Sequence, residues 1–298
     1  MDFVVIDVET ANANLSSICQ VGIASFRDGE LAEAWKTLIN PEDYFSHANV
    51  SIHGIDEYMV VDAPTWQGAF PQINSRLQNK IVVSHTSFDR VALARACDRS
   101  GLSECKYTWL DSARVVRMAW PLFSRSGYGL SNVAAHFGIE YQAHDALEDA
   151  RCAGLLVLRA IAETGLSAEQ WLTRVEQPIH TSSHENPFNK WPTTCKRDGN
   201  PEGEFFGDVL VFTGSLSVPR QEAADLAAAA GCRVDDGVTK PTTLLVVGDQ
   251  DLRRLVGHEK SSKHTKAERL IEKGQHIRIL GESDFMHIVA QSATAISA

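Results

Sequence analysis

The chain of 298 residues is long enough for two domains, and 44% of its residues are hydrophobic, as in ordinary globular proteins. It has no run of about 20 apolar residues that could cross a membrane, and its start lacks the basic and apolar regions of a signal peptide. We therefore expect a cytoplasmic protein without membrane contact. The formal net charge of −10 argues against nonspecific nucleic-acid binding, although a local basic surface can bind phosphate on an acidic protein.

The six cysteines are scattered along the chain, and none forms a Cys-x-x-Cys pair. This spacing argues against a zinc knuckle and against a disulfide framework. We expect most of these cysteines to be buried thiols.

The first predicted strand ends in two acidic residues. Val4, Val5 and Ile6 are typical of a buried strand. Asp7 and Glu9 are two residues apart, so a strand directs both carboxylates to the same face. Such neighbouring carboxylates repel each other, and a shared proton or bound cations would neutralise them. The alternative is that the strand end reaches solvent and that both acids are ordinary surface residues.

The following segments predict a β-hairpin. Residues 17–26 and 30–39 have the pattern of strands, and the Asp-Gly pair at 28–29 is typical of a tight hairpin turn. A loop that includes residues 51–55 is expected next, followed by a helix over 66–77. The sheet therefore begins with antiparallel strands.

A short strand over 81–84 is predicted to precede a helix over 88–98. Asp89 lies where this strand leads into the helix. The elements predicted next are a strand over 109–111 and short helices over 112–119 and 130–137.

The last helix of this half is predicted over 145–162. Asp145 and Glu148 have the spacing of an N-cap residue and its reciprocal capping partner, which gives both acids a structural role. Asp149 lies about one turn into the helix beside an apolar run, where an acid needs a partner. His144 lies just before the helix start, where a histidine is either a loop residue or a catalyst.

Several of these residues match the spacing of a known family. Residues 2–163 resemble the DEDDh-type exonucleases of the DnaQ-like family, which includes the proofreading subunit of the bacterial replicative polymerase and oligoribonuclease. The matching motifs are Asp7-Val8-Glu9-Thr10, Phe88-Asp89 after a strand ending in His85, His144 five residues before Asp149, and Tyr128–Ala134 ahead of Phe137-Gly138-Ile139.

The resemblance implies an α/β fold of the RNase H-like type, with a mixed five-stranded sheet and flanking helices. It implies that His144 accepts a proton from the attacking water. It also implies hydrolysis of a nucleic acid from its 3′ end, with release of nucleoside 5′-monophosphates. The implied ligands of two Mg²⁺ or Mn²⁺ ions are Asp7, Glu9, Asp89 and Asp149.

Three further residues are expected to contact the substrate, namely Thr10, His85 and Phe88. The turn before Phe88 departs from the family pattern, because many members carry Asn in a His-Asn turn and residues 84–87 include no Asn. This departure leaves the substrate contact open but removes no metal ligand. The alternative for His85 is an ordinary loop residue.

After residue 163 the sequence no longer shows the regular succession of strand and helix patterns. Residues 167–175 are compatible with a short helix, and residues 177–203 are rich in Pro, Ser, Thr, Asn and charged residues. The predicted organisation is an exonuclease domain over 1–165, a linker over 166–204 and a second domain over 205–292.

The second domain alternates strands with helices. Strands are predicted over 209–214, 244–248 and 276–280, and helices over 219–230 and 263–273. This alternation predicts a small parallel sheet.

The same segment resembles a BRCT domain of the type found in DNA ligases and clamp-loader large subunits, with a parallel four-stranded sheet. Phe285 stands where many BRCT domains carry Trp in the last helix, so an aromatic residue is kept. The resemblance rests on Phe212-Thr213-Gly214, Gly231-Cys232-Arg233-Val234, the strand over 243–248 and Lys266-Ala267-Glu268.

The BRCT resemblance implies a phosphate pocket formed by Thr213, the backbone N–H of Gly214 and Lys266. Arg220 falls where BRCT domains that bind 5′-phosphorylated DNA ends carry a basic residue. Basic residues outnumber acidic ones over 252–278. The expected partner is a phosphoprotein or a 5′-phosphorylated DNA end. The alternative is a BRCT fold that contacts only protein.

Together these expectations describe a two-domain 3′→5′ exonuclease that acts on a single-stranded 3′ end, expected to be DNA, in repair or replication editing. One alternative is an exoribonuclease that trims short RNA, because the same motifs serve that chemistry. Another is a scaffold that binds phosphopeptides while its nuclease half is idle. The intact metal-ligand positions argue against the scaffold.

Overall fold

The structure is a computed structural model that describes residues 2–179, 195–249 and 260–296. Parts of the predicted linker and of the basic stretch over 252–278 lie outside the described residues. The chain forms two compact units, Met1–Glu176 and Gln177–Ala298.

The first unit contains a mixed five-stranded sheet with the strand order β3-β2-β1-β4-β5. The central strand of the first three, β2, pairs antiparallel with both β1 and β3, whereas β1, β4 and β5 run parallel. This confirms the predicted mixed five-stranded sheet. The strands are β1 (Asp2–Thr10), β2 (Ile18–Arg27), β3 (Glu30–Leu38), β4 (Ile81–Ser84) and β5 (Thr108–Asp111).

The turn between β2 and β3 has the predicted hairpin geometry. Asp28 and Gly29 have φ angles of 52° and 86°. Positive φ at both central residues gives the turn a twist that matches the twist of the two strands. The antiparallel start of the sheet therefore follows from this dipeptide.

The described helices of the first unit agree with the predicted positions, with two additions. The additions are α1, which includes part of the predicted loop over 51–55, and the short α5. The Ser46 side chain accepts the N–H of Asn49 at the start of α1, and Gly54 ends this helix in the left-handed conformation. The helices are α1 (His47–His53), α2 (Trp66–Leu77), α3 (Phe88–Arg99), α4 (Ser112–Ala119), α5 (Phe123–Ser126), α6 (Leu130–Phe137), α7 (Ala146–Thr164) and α8 (Ala168–Val175).

A large hydrophobic core lies between one face of the sheet and α7. It includes Phe3 and Val5 of β1 and Leu156 of α7, all at most 1% exposed. Alternate residues of a strand share a face. Asp7 and Glu9 therefore continue the row of Phe3 and Val5 beyond the apolar core, on the face that α7 covers.

Helix α8 packs within the first unit. Trp171 is 1% exposed and belongs to the same core as α7. Ser167 and Gln170 form a reciprocal capping box at the helix start, with N–H to side-chain distances of 3.3 and 2.8 Å. The first unit extends to residue 176 and thus includes a helix that follows the predicted linker start at residue 166.

The second unit contains a four-stranded sheet with the order β7-β6-β8-β9, and all neighbouring strands are parallel. The predicted parallel four-stranded sheet is confirmed. Its strands are β6 (Val209–Thr213), β7 (Arg233–Asp235), β8 (Leu244–Val247) and β9 (Arg278–Gly281). The described helices are α9 (Arg220–Ala229), α10 (Ser262–Ile271) and α11 (Glu282–Ile296).

Aromatic residues close the core of the second unit. Phe285 of α11 is buried, and its ring meets that of Phe212 edge to face at 5.7 Å. Arg197 forms an isolated bridge with Val234, and Phe205 is buried. The second unit therefore includes the described residues at the end of the predicted linker.

None of the described helices has the length and apolar character needed to cross a membrane.

We predict that Trp171→Ala lowers the free energy of unfolding of the first unit by about 3–5 kcal/mol, because it removes a fully buried aromatic side chain. Thr173→Ala, at an exposed position of the same helix, should change this free energy by less than about 0.5 kcal/mol. Denaturant unfolding of the full-length protein, followed by far-UV circular dichroism, measures both values. Equal effects of the two substitutions would show that α8 is not part of this core.

Candidate active site

The two acids of β1 lie at the end of the strand, where the sheet opens. Asp7 and Glu9 are both partly exposed. Their partners across the antiparallel pair are Gly22 and Gln20 of β2, and the register shifts between Glu9 and Thr10. Regular pairing thus ends directly after the second acid.

Asp89 reaches β1 from the first turn of α3. Its Oδ1 accepts the N–H of Val8 at 3.0 Å, and the residue is 4% exposed. Because β4 ends at Ser84, the carboxylate takes the position of a strand carbonyl beside Val8. The third predicted acid is therefore fixed to the backbone between the two acids of β1.

His144 and Asp149 are joined at the start of α7. The backbone N–H of His144 donates to Oδ2 of Asp149 at 2.7 Å. His144 has a φ of 64°, a left-handed conformation that is uncommon for residues other than glycine. The spacing of this histidine and aspartate therefore corresponds to a loop that folds back on the first turn of the helix.

The sheet and the helix contribute to one cluster. Ligand atoms of Glu9, His144 and Asp149 all lie within 4.8 Å of one another. Asp89 is tied to the residue before Glu9. Carboxylate oxygens at this separation are the ligands that hard divalent cations prefer.

Neighbouring ionisable groups respond to the negative charge of this cluster. Burial raises the pKa of the Tyr141 phenol, and the charges of Asp149 and Asp7 raise it further. Burial raises the pKa of the Cys152 thiol to about 12, and the charge of Asp149 adds to that effect. Burial likewise raises the pKa of Cys19, with a contribution from Glu9. A divalent cation would neutralise this charge, so the residues present fit a metal site.

Thr10 is held by α1. Its carbonyl oxygen accepts hydrogen bonds from Nδ2 of Asn49 at 2.8 Å and from Nε2 of His53 at 3.1 Å. The N–H of Ile55 donates to Nδ1 of His53 at 3.0 Å, so the ring proton lies on Nε2. Burial lowers the pKa of His53, which favours this neutral form. The backbone after Glu9 is therefore fixed by a helix that the sequence analysis did not predict.

His85 and Phe88 lie in and after the turn that follows β4. Nε2 of His85 donates to the carbonyl of Tyr128 at 2.9 Å, and Nδ1 lies 3.0 Å from Oγ of Ser112. Both ring nitrogens thus have protein partners, and a hydrogen bond to substrate would have to replace one of them. Phe88 is 8% exposed. Their substrate contacts remain predictions.

Asp111 is a structural acid whose role the sequence analysis missed. Its Oδ1 accepts the N–H of Thr86 at 3.2 Å and the N–H of Ala113 at 2.8 Å. Thr86 has a φ of 80°, which is strained for a β-branched residue. Asp111 thus joins the start of α4 to the turn that leads to Asp89. Its place between a buried strand and a helix is the N-cap signal that could have revealed this role.

The predicted cap of α7 is half confirmed. Oδ1 of Asp145 accepts the N–H groups of Leu147 and Glu148 at 3.1 and 3.3 Å, so Asp145 is the N-cap residue. The reciprocal bond predicted for Glu148 is wrong. This carboxylate instead pairs with Arg151 at 2.7 Å, because the two residues are neighbours on the helix surface.

A lysine that the sequence analysis did not single out, Lys263, lies at the end of β6 in the second unit. Oγ1 of Thr213 lies 2.7 Å from Oγ of Ser261, and Nζ of Lys263 donates to the carbonyl of Phe212 at 3.0 Å. Burial lowers the pKa of Lys263, and the charge of Arg220 lowers it further. Thr213, Lys263 and Arg220 therefore lie close together at the end of β6.

Two other predicted residues complete this region. Gly214 has a φ of 78°, and its carbonyl accepts a hydrogen bond from Nη2 of Arg220 at 2.6 Å. Lys266 is exposed on α10. The structure thus adds Lys263 to the residues that the BRCT resemblance implies.

Residues 4–156 match the family model described as exonuclease. This range is just over half of the chain and includes the five residues of the predicted active site. The chain belongs to the exonuclease family. The second unit lies outside the matched range.

This exonuclease domain is similar to a segment of PolC-type DNA polymerases III. It is 27% identical over 163 residues to the PolC-type DNA polymerase III of Oceanobacillus iheyensis, over 53% of this chain and 11% of that protein. It is 26% identical over 163 residues to the PolC-type enzyme of Thermotoga petrophila, over 53% of this chain and 12% of that protein. The match therefore spans about an eighth or less of the length of these relatives.

Among solved structures, Exonuclease X in complex with 5′ overhanging duplex DNA has a TM-score of 0.46 and 23% sequence identity. The match covers 58% of this chain and 99% of that chain.

Proposed function

We propose that this protein is a metal-dependent 3′→5′ exonuclease that hydrolyses DNA to nucleoside 5′-monophosphates, in DNA repair or replication editing. The observation that carries the proposal is the convergence of Glu9, His144 and Asp149 within 4.8 Å. Membership of the exonuclease family supports the reaction class. The similarity to PolC-type DNA polymerases supports DNA as the substrate.

The proposed metal ligands are Asp7, Glu9, Asp89 and Asp149, which would hold two Mg²⁺ or Mn²⁺ ions. Two such ions lower the pKa of the attacking water and stabilise the charge that develops on the phosphate. The carboxylates of Asp89 and Asp149 each accept a backbone N–H. These bonds orient both groups before a cation binds.

His144 is proposed to accept the proton of the attacking water. Its ring lies beside the carboxylates of Glu9 and Asp149, where a water molecule on the scissile phosphate would be in reach. The hydrogen bond from its own N–H to Asp149 fixes its backbone. The loop that carries the imidazole is therefore held in place independently of the substrate.

The proposed substrate is a single-stranded 3′ end. Thr10 follows Glu9 directly, and the hydrogen bonds from Asn49 and His53 to its carbonyl make this part of the backbone a fixed surface. Phe88 directly precedes Asp89 in the chain, and His85 lies in the turn between β4 and α3. A terminal nucleotide that contacts Thr10 and these residues would present its phosphodiester to the acids.

We propose that the second unit is a BRCT domain that binds a phosphorylated protein or a 5′-phosphorylated DNA end. The parallel four-stranded sheet is consistent with that fold. Arg220, Lys263 and the hydroxyl of Thr213 lie at the end of β6. Two cations and a hydroxyl near a glycine turn provide the charge and the donors that a phosphate requires.

The test of the nuclease proposal is digestion of matched 3′-labelled and 5′-labelled single strands of DNA and RNA by the full-length protein. Mg²⁺, Mn²⁺ and EDTA are compared. We expect stepwise shortening of DNA from the 3′ end that requires a divalent cation. Preference for short RNA would favour an exoribonuclease. Cleavage of neither polymer by the folded protein would contradict the proposal and favour a scaffold.

Three variants control this digestion. Glu9→Ala and Asp149→Asn should lower the rate by at least about 10³-fold, because each removes a carboxylate that a metal ion needs. Glu148→Gln also removes one negative charge from the start of α7, but Glu148 pairs with Arg151 outside the cluster. This control should keep the rate within about twofold of the wild type.

We predict that Lys263→Ala weakens binding to a 5′-phosphorylated DNA end by about tenfold, because it removes a charged donor beside Thr213. Lys266→Ala should have a smaller effect, since this lysine is more exposed. Fluorescence anisotropy compares 5′-phosphorylated with 5′-hydroxyl DNA, in the Glu9→Ala background to prevent digestion. If neither substitution changes the preference for phosphate, the second unit binds no phosphate through this region.

A further inference from the structure

The active site requires an unusually close approach of α7 to β2. A Cβ atom built on Gly22 would lie 2.2 Å from the backbone C of Ala146 and 2.2 Å from the backbone N of Leu147. Non-bonded atoms do not approach so closely, so any other residue at position 22 would push the start of α7 away from the sheet.

The same helix has a second close contact farther along. A Cβ atom on Gly154 would lie 2.1 Å from the ring of Phe26. The helix rises about 12 Å between Ala146 and Gly154, and β2 extends about 14 Å between Gly22 and Phe26. Because the length of helix and the length of strand between the two contacts are similar, α7 runs along β2 and contacts it closely at both glycines.

Polar side chains of β2 and β3 also bind the start of α7. Oε1 of Gln20 accepts the N–H of Ala146 at 2.9 Å, one of the first N–H groups of a helix, which have no partner within it. Gln20 is 6% exposed. Nζ of Lys36 lies 2.5 Å from Oδ2 of Asp145, the N-cap residue.

The β2 and β3 residues that contact the start of α7 lie in the same cross-strand rows as Asp7 and Glu9. Gly22 is paired with Asp7 on one side and with Lys36 on the other. Gln20 is paired with Glu9. Directly paired residues of antiparallel strands project to the same face, so the groups that hold the helix lie beside the carboxylates that the helix residues must meet.

We propose that Gln20, Gly22 and Lys36 are positioning residues of the active site. They hold the start of α7 against β2. They thereby set the distance from His144 and Asp149 to the acids of β1. The inference rests on the proposed exonuclease function.

Gln20 is the most informative residue of the three. Substitution of Gly22 would disturb the fold itself. The ion pair between Lys36 and Asp145 is partly exposed and therefore weak. Gln20→Met keeps the shape of the side chain but removes the acceptor for Ala146.

The test measures digestion of 3′-labelled single-stranded DNA by the full-length protein below its unfolding temperature, together with Mn²⁺ binding in the absence of substrate. Gln20→Met should lower kcat by about tenfold and weaken Mn²⁺ binding by about tenfold, with KM changed by less than about twofold. If Gln20 had a purely structural role, Gln20→Met would lower the unfolding temperature without a loss of kcat and Mn²⁺ affinity at nearly unchanged KM.

The matched control is Gln67→Met, which removes a hydrogen bond to the backbone carbonyl of Ser100 elsewhere in the unit. It should leave kcat and Mn²⁺ affinity unchanged. A folded Gln20→Met protein with wild-type kcat and wild-type Mn²⁺ affinity would overturn the inference.

Two further measurements keep the inference separate from the proposed function. If the wild-type protein digests no nucleic acid, the proposed function fails, and Mn²⁺ affinity decides the positioning role. If Gln20→Met does not fold, Lys36→Met and Lys36→Arg replace it. Lys36→Met should lower kcat by about threefold and Lys36→Arg should restore it; an unchanged kcat in Lys36→Met would overturn the inference.

Discussion

The close contact between the start of α7 and β2 at Gly22 is the constraint on which the active site depends. Two of the acids belong to the sheet, whereas Asp149 and His144 belong to the helix layer, and ordinary side chains between the layers would keep these groups apart. At Gly22 no side chain intervenes. The apolar core beneath α7 then fixes the rest of the helix, so the energy that holds the catalytic geometry comes from packing remote from the chemistry.

The site concentrates negative charge, and backbone N–H groups bind two of its carboxylates. Asp89 accepts an N–H from β1, and Asp149 accepts an N–H from the loop before α7. Hydrogen bonds to ionised acceptors are stronger than neutral ones. The carboxylates of Asp89 and Asp149 are therefore oriented by the main chain before a cation binds. Burial raises the pKa values of Tyr141 and Cys152, and the negative charge of Asp149 adds to both effects.

Features encoded by neighbouring residues could be predicted from the sequence, whereas features that depend on distant contacts could not. The Asp28-Gly29 hairpin, the regular helices and the N-cap of α7 follow from short patterns, and the spacing of five polar residues indicated the site. Helix α1 was missed because its role depends on hydrogen bonds to Thr10. Gln20 was missed because its partner, Ala146, lies 126 residues away. The sequence did not show that α8, beyond the predicted division at residue 165, packs on the first unit, because the burial of Trp171 depends on tertiary packing.

The central claim is that the acids of β1, α3 and α7 form one site for two divalent cations. X-ray diffraction from crystals of the full-length protein soaked in Mn²⁺, with an anomalous difference map, tests this claim most directly. The account predicts two peaks about 3.5–4 Å apart, surrounded by the carboxylates of Asp7, Glu9, Asp89 and Asp149, with the ring of His144 outside the coordination sphere. A map without peaks there, or with a single ion that takes His144 as a ligand, would contradict it.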